Sequence, residues 1–260
     1  MKLAVFSDVH GNLSALEAVK ADIEAVGDVD LIWCLGDLCA GGSHAVDCLR
    51  MVKGWQEAFE DKKFKVIGGN TDRYLVTGER MKMPAAKDED SFKKLARQWT
   101  RRDAMFNWNA AQFSWEDYDY LSKTLGKEVA VAVKGYGWVI GYHAIPGNDE
   151  TLLRPDTPDE EAKDALLDRE GRLAIGAHIH VQMDRVIDDW RIINVGSVGL
   201  SFDMPGKAQW GLFTFDGNDD KRDVTVDLRA IDYDLDKAVA RLHDSDHPAP
   251  AWVASQIKKM

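Results

Sequence analysis

The feature that most constrains this chain is a rhythm in its first seventy residues. Three short apolar runs each end beside a carboxylate or a carboxamide. Residues 1–7 (MKLAVFS) lead into Asp8-Val9-His10, residues 31–35 (LIWCL) into Gly36-Asp37, and residues 64–67 (FKVI) into Gly68-Gly69-Asn70. Between the first two runs, Leu13, Leu16, Val19, Ile23 and Val26 recur at helical spacing over 13–26, and 45–53 reads as a second helix. Strand, helix, strand, helix, strand at this spacing predicts a sheet with parallel neighbours. In such a sheet the strand ends converge on one edge, where ligands bind.

The pattern then changes. Residues 88–125 are polar and helical, with Trp99, Phe106, Trp108, Phe113, Trp115 and Tyr118 as its apolar content. This predicts a small helical insertion, either a structural lobe or a lid. It holds no histidine, so it is expected to shape substrate choice without supplying metal ligands. Residues 128–133 and 138–142 read as a hairpin turning at 134–137. A charged helix over 158–168 follows, then short strands at 173–175, 183–187, 191–195, 209–215 and 224–228, and a helix over 235–243. The tail, 245–260, contains Pro248 and Pro250 and reads as mobile. No repeat or linker divides the chain, which predicts one domain over 1–260.

Seven nitrogen and oxygen donors sit just past the expected strands: Asp8, His10, Asp37, Asn70, His143, His178 and His180. Asp-x-His and His-x-His place alternate side chains on one side of an extended segment. Singly, each residue has a plain structural role. Asp8 could cap a helix, and Asn70 and Asp72 could form loops. Together they form a constellation, because four of the seven histidines fall in these few glycine-flanked loops. His44, His243 and His247 lack that context and read as structural or exposed. Two divalent ions ~3.5–4 Å apart need about this many ligands and a bridging carboxylate. Asp37, the lone carboxylate of its loop, is the candidate bridge. Imidazole favours Mn, Fe, Zn, Co or Ni over Ca or Mg, and a set without cysteine does not describe a structural zinc site.

Composition narrows the alternatives. Hydrophobic residues make up 45% and charged residues 30%, as in ordinary globular proteins. No apolar run approaches the ~20 residues of a membrane helix. The N-terminus reaches Asp8 too soon for a signal peptide, so a cytoplasmic location is expected. Cys34, Cys39 and Cys48 are odd in number and read as buried thiols of a reducing compartment. Net charge is −11, and the basic clusters Lys62-Lys63, Lys93-Lys94 and Arg101-Arg102 are short. This counts against strong nucleic-acid binding. A phosphate substrate would have to be attracted locally, as bound metal would do.

Asp8-x-His10, Gly36-Asp37, Gly69-Asn70-x-Asp72, His143 and Gly176-Ala177-His178-Ile179-His180 resemble the ordered motifs of the calcineurin-like metallophosphoesterase superfamily. Ser7-Asp8-Val9-His10-Gly11-Asn12 is similar to its small bacterial and archaeal phosphodiesterase branch. So is Asn194-Val195-Gly196-Ser197, where that branch usually has Asn-Pro-Gly-Ser. The resemblance implies a four-layer αββα sandwich of two mixed β-sheets flanked by helices. It implies one metal on Asp8, His10, Asp37 and His180, and the other on Asp37, Asn70, His143 and His178. The implied activity is hydrolysis of a phosphodiester or small phosphate ester by in-line attack of a metal-bridging hydroxide. Asn12, Asn70 and Arg73 are candidates for contacting the phosphoryl oxygens. Arg73 reads equally as a salt-bridge partner of Asp72 or another acid, and Asn12 as a helix cap. Many relatives carry histidine where this chain has Thr71, a residue thought to assist the leaving group. Its loss counts against protein phosphatase activity. A non-catalytic scaffold, as in the retromer subunit of this fold, and a DNA nuclease are the competing readings.

Overall fold

A computed structural model describes residues 1–59, 63–166, 169–216 and 224–258. The chain opens with β1 (Lys2–Phe6), α1 (Leu13–Val26), β2 (Leu31–Cys34), α2 (Ala45–Ala58), β3 (Phe64–Val66) and α3 (Asn70–Thr77). The helical segment follows as α4 (Glu89–Ala110) and α5 (Trp115–Ser122). Next come β4 (Val129–Val133), β5 (Gly137–Gly141), α6 (Asp159–Asp164), β6 (Leu173–Gly176), β7 (Gln182–Ile187) and β8 (Trp190–Val195). The long pair β9 (Lys207–Phe215) and β10 (Val224–Asp232) precedes α7 (Leu235–His243) and α8 (Pro250–Ile257).

Alternation along β1 shows how the layers arise. Leu3 and Val5 join one apolar cluster, whereas Ala4 and Phe6 join another. A strand whose two faces feed two cores must lie inside a sheet covered on both sides. β1 does so, in the order β10-β9-β1-β2-β3, with β2 parallel and β9 antiparallel to it. The second sheet has the order β4-β5-β6-β8-β7 and is also mixed. Between the sheets lie Leu3, Val5, Trp33 and Phe213 from the first and Val139, Leu173, Ile175 and Ile193 from the second. Leu16, Val19 and Ile23 of α1 and Leu49, Val52 and Trp55 of α2 cover the outer face of the first sheet. Ala162 of α6 with Leu166 covers Ile140, Ala174 and Ile192 on the outer face of the second. The result is the αββα sandwich expected from the resemblance. Among the described residues, no helix is long and apolar enough to cross a membrane.

Several elements differ from the sequence-based expectation. The second helix runs to Ala58 rather than residue 53, passing through Gly54. Trp55 drives this extension: it is buried and stacks on Phe6 at 5.7 Å, which outweighs one glycine's propensity penalty. Asn70 opens α3 rather than sitting in a loop. The Asp72 carboxylate at its third position accepts from Gly69 N at 3.1 Å, a capping device readable as Gly-Asn-x-Asp. β10 continues past residue 228 because it pairs with β9 as far as Asp232↔Lys207. The charged helix is shorter, Asp159–Asp164, and Leu167 and Asp168 lie outside the described residues, as does Lys62. The tail expected to be mobile contains α8, with Pro250 in its first turn and Val253, Ala254 and Ile257 packed against Met105 and Leu242. Its last two residues lie outside the described residues.

Trp33 is 2% exposed and spans the seam between the two sheets. Trp33→Ala should cost about 3–5 kcal/mol, the range for truncating a large buried aromatic. The check is a lower urea midpoint at unchanged m-value.

Candidate metal centre

The donors reach one place because the strands that carry them end on one edge. Asp8 and His10 follow β1, Asp37 follows β2, and Asn70 follows β3. His143 follows β5, and His178 and His180 follow β6, which runs parallel to β5. Two groups of converging donors result: Asp8, His10 and His180, and Asp37, His143 and His178, with the donor atoms of each group within 4.8 Å of one another. Asp37 Oδ2 lies 3.6 Å from His10 Nε2 of the first group and 3.6 Å from His143 Nε2 of the second. Asn70 Oδ1 is 3.1 Å from His143 Nε2, so Asn70 adjoins the second group.

Close approach of the loops depends on glycine. A Cβ on Gly36 would stand 2.3 Å from Gly69 N, and one on Gly69 would stand 2.2 Å from Asp37 Oδ1. Neither position admits a side chain without driving the Asp37 and Asn70 loops apart. Asp72, fully buried, ties the same loops together by accepting from Leu38 N, Cys39 N and Gly69 N. Burial and the nearby Asp37 push its carboxyl up to about 7 against those three donors.

Backbone carbonyls set the ring orientations. His10 Nδ1 faces Ala40 O at 3.2 Å, His143 Nδ1 faces Leu35 O at 2.8 Å, and His180 Nδ1 faces Leu200 O at 2.8 Å. Each carbonyl holds a proton on Nδ1 and leaves Nε2 to the site. His178 is turned the other way: its Nε2 faces Glu150 O at 3.1 Å, which leaves Nδ1 as its donor. Phe202 stacks on His180 with centroids 4.7 Å apart.

This arrangement fits cations. His10 Nε2 and His180 Nε2 stand 3.0 Å apart, and Asp8 Oδ1 lies 3.2 Å from His180 Nε2, buried without a hydrogen-bond partner. Two imine lone pairs and a carboxylate oxygen at such distances repel unless a proton or a metal ion lies among them. Without metal the proton goes to His10. Burial disfavours its charge, but Asp8 and Asp37 outweigh burial and hold its pKa up at about 9. His143 is likewise raised against burial by Asp37 and Asp8. Burial and the neighbouring His143 lower His178. For Asp8, burial alone would raise the carboxyl, yet His180 and His10 hold it well below the usual range.

Five of these residues adopt left-handed backbone: Asp8 (φ 55°), His10 (49°), Asp37 (52°), His178 (73°) and His180 (57°). Such conformations cost of order 1–3 kcal/mol each in non-glycine residues and persist only where the surroundings over-determine them. Here Asp8 N donates to Gly36 O, His10 N to Asp37 O, and His178 N to Asp8 Oδ2, each at 3.0 Å. Gly199 N at 2.9 Å and Ser197 Oγ at 2.8 Å donate to Asp8 O.

Two expected phosphate contacts are otherwise engaged. Asn12 caps α1 through Ala15 N at 3.3 Å and donates to Gly199 O at 3.1 Å and Tyr233 Oη at 3.3 Å. Arg73 forks onto Asp149 through Nε and Nη2, both at 2.8 Å, and also pairs with Glu150 and Glu79. The acid it meets is thus not Asp72. Tyr74 also donates to Glu150, whose carbonyl orients His178. No sequence signal marks Glu150, because its main-chain oxygen does the work.

Two outcomes follow. Arg73→Ala should loosen the Asp149-Glu150 loop and weaken metal binding at the His178 group by ~10–100-fold, as losing a residue that orients a ligand does. A direct phosphate contact would instead change substrate affinity at full metal occupancy, and metal titration separates the two. Second, metal uptake at pH 7.5 should expel about one proton from His10. Calorimetry in buffers of different ionisation enthalpy reads it, and no release would sink the assignment. The sign is that of a raised pKa. The His10 proton stabilises the metal-free protein fully below about 6.5, and that contribution fades as pH rises through about 9.

The calcineurin-like phosphoesterase superfamily domain matches residues 1–217. An uncharacterized protein of Methanocaldococcus jannaschii is 26% identical over 275 residues, covering 98% of this chain and 96% of its own. A metallophosphoesterase from Sphaerobacter thermophilus aligns over 99% of this chain and 98% of its own, at 20% identity and TM-score 0.72. A hypothetical protein from Pyrococcus horikoshii aligns over 99% and 97%, at 20% identity and TM-score 0.76. These two likenesses concern the fold. The domain match runs through every donor loop from Asp8 to His180, and the chain belongs to the calcineurin-like phosphoesterase superfamily.

Proposed function

We propose that this chain is a two-metal phosphoesterase that hydrolyses a phosphodiester or small phosphate ester. One observation carries the reading: the Asp37 carboxylate is equidistant, at 3.6 Å, from an imidazole of each donor group. On this reading Asp8, His10, Asp37 and His180 hold one divalent transition-metal ion, and Asp37, Asn70, His143 and His178 hold the other. Bound there, two such ions supply an activated water and neutralise charge on the phosphoryl oxygens.

The chain's own part is orientation. Thr71 N donates to Asp37 Oδ1 at 2.9 Å, leaving Oδ2 to face both groups. The carbonyls of Ala40, Leu35, Leu200 and Glu150 fix which nitrogen of each imidazole meets the ions. Proton donation to the leaving group is weakly provided for. Thr71 Oγ1 is committed to Cys39 O at 3.0 Å, and a hydroxyl does not titrate near neutral pH. His44, the next imidazole along that loop, is bonded to Ser43 Oγ at 2.8 Å and held below its ordinary pKa by burial. It is therefore a poor acid for this purpose. The favoured substrates are esters whose alcohol departs as a stable anion.

The test is a phosphoester screen on protein reconstituted in turn with Mn, Fe, Zn, Co and Ni, with metal content measured alongside. Two ions per chain are expected. Bis(4-nitrophenyl) phosphate should be cleaved faster than phosphoserine peptides by ~10²–10⁴-fold, the usual worth of general acid catalysis. Asp37→Ala should abolish turnover and paired occupancy together. Failure to take up any of the five metals would remove the basis of the reading; equal rates on the two substrates would mean that another group donates the proton.

A further inference from the structure

We propose that an apolar cavity beside the metal centre seats the organic group of the ester, and that it takes a group the size of a single six-membered ring. This rests on the phosphoesterase reading above. The cavity has a volume of about 150 Å³. Its walls include Met105 and Phe106 of α4, Leu200, Leu242 of α7, and Trp252 and Val253 of α8, and it reaches His10 and Thr71. His10 also belongs to the first donor group, so cavity and candidate metal centre share a wall.

Three features identify the occupant. The first is position: the cavity reaches His10, itself one of the donors, and Thr71, so an ester whose phosphorus lies at the donor groups has its organic arm next to the cavity. The second is chemistry. The polar side chains along the walls already have partners. Arg241 pairs with Glu17 and Ser14, Asn12 with Gly199 and Tyr233, and Gln256 with Ser255. The surface left to a ligand is hydrocarbon and aromatic, which suits neither a sugar nor a second phosphate. The third is size. An apolar cavity of ~150 Å³ accommodates benzene, whereas sites that enclose larger ligands span ~300–1,000 Å³. A whole nucleoside is therefore too large.

The bulky apolar side chains of the walls come mostly from outside the donor loops, which contribute small residues such as Gly11, Ala40 and Gly41 to the rest of the lining. Met105 and Phe106 come from the helical segment after the third strand. Leu242, Trp252 and Val253 lie beyond residue 217, where the superfamily match ends. Substrate size is thus set in large part by α4, α7 and α8, which carry none of the donor residues.

Phenylphosphonate and methylphosphonate, which are not hydrolysed and differ only in the organic group, test this by calorimetry on the metal-loaded full chain. Phenylphosphonate should bind ~10–100-fold more tightly, the scale on which apolar pockets discriminate. Val253→Phe, which fills the cavity, should cut the ratio to about threefold or less while two ions per chain remain bound. Leu242→Ala, which enlarges it, should improve binding of 2-naphthylphosphonate relative to phenylphosphonate, and covers the case in which Val253→Phe fails to fold. Equal binding of the two phosphonates to wild type overturns the inference and leaves the phosphoesterase reading intact. A preference that survives Val253→Phe overturns the cavity as its source. Binding of neither phosphonate to metal-loaded protein counts against the phosphoesterase reading itself, and the inference falls with it.

Discussion

Asp8 and Asp37 are 0% and 2% exposed and face a cluster of four imidazoles. Buried carboxylates are tolerated only when hydrogen-bonded or paired with positive charge, since the penalty for removing an ion from water is several kcal/mol. Each is therefore half satisfied by main-chain donors: Asp8 Oδ2 by His178 N and Asp37 Oδ1 by Thr71 N. The other oxygen of each faces the imidazoles. Much of the surrounding structure follows from that division. The loops must approach closely, the rings must be held by carbonyls, and the inner oxygens must meet a proton or a cation.

The left-handed backbone at five of the donor positions has the same origin. The sequence pattern suggests extended Asp-x-His and His-x-His segments, whose i and i+2 side chains share a face. Asp8, His10, His178 and His180 instead lie past the ends of β1 and β6 in left-handed backbone, so the loops and not a continued strand aim them across the sheet edge. A left-handed residue at the strand end redirects the chain at once. The strain is tolerated because the two sheets meet at this edge. β1, β2 and β3 from one sheet and β5 and β6 from the other deliver interlocking loops. The hydrogen bond from His178 N to Asp8 crosses between the sheets and joins residues 170 apart in sequence.

Outside this edge the molecule divides its labour. The seam between the sheets, with Trp33 and Phe213 among its largest buried side chains, supplies the apolar burial that holds the edge in place. The elements added around it, α4, α7 and α8, pack on one another through Met105, Leu242 and Val253 and border the cavity beside His10. Arg73 and Tyr74 of α3 hold the Asp149-Glu150 loop against the second donor group. The Arg73 and Tyr74 contacts thus act from behind the residues that face the candidate metal centre.

The sequence alone determined the local elements and the donor chemistry. Apolar runs ending on Asp8, Gly36-Asp37 and Gly69-Asn70, and helical periodicity over Leu13–Val26 and Leu235–His243, are patterns within a few residues, readable without knowing the fold. The seven candidate donors could be named for the same reason, since side-chain type and strand-end position are both local. What only the tertiary structure decided is each donor's direction and supporting partner. Whether an imidazole offers Nε2, as His143 does, or Nδ1, as His178 does, depends on carbonyls at Leu35 and Glu150, distant in sequence and unmarked by side-chain type. Arg73 met Asp149 and Glu150 rather than Asp72 because the β5 loop folds over α3, and Asn12 spent its amide on Gly199 and Tyr233. The tail became α8 because Met105 and Leu242 offered an apolar face to Val253 and Ile257, a surface that exists only once α4 and α7 are in place. Backbone carbonyls and assembled apolar faces carry no letter in the sequence, so their effects appear only when distant segments meet.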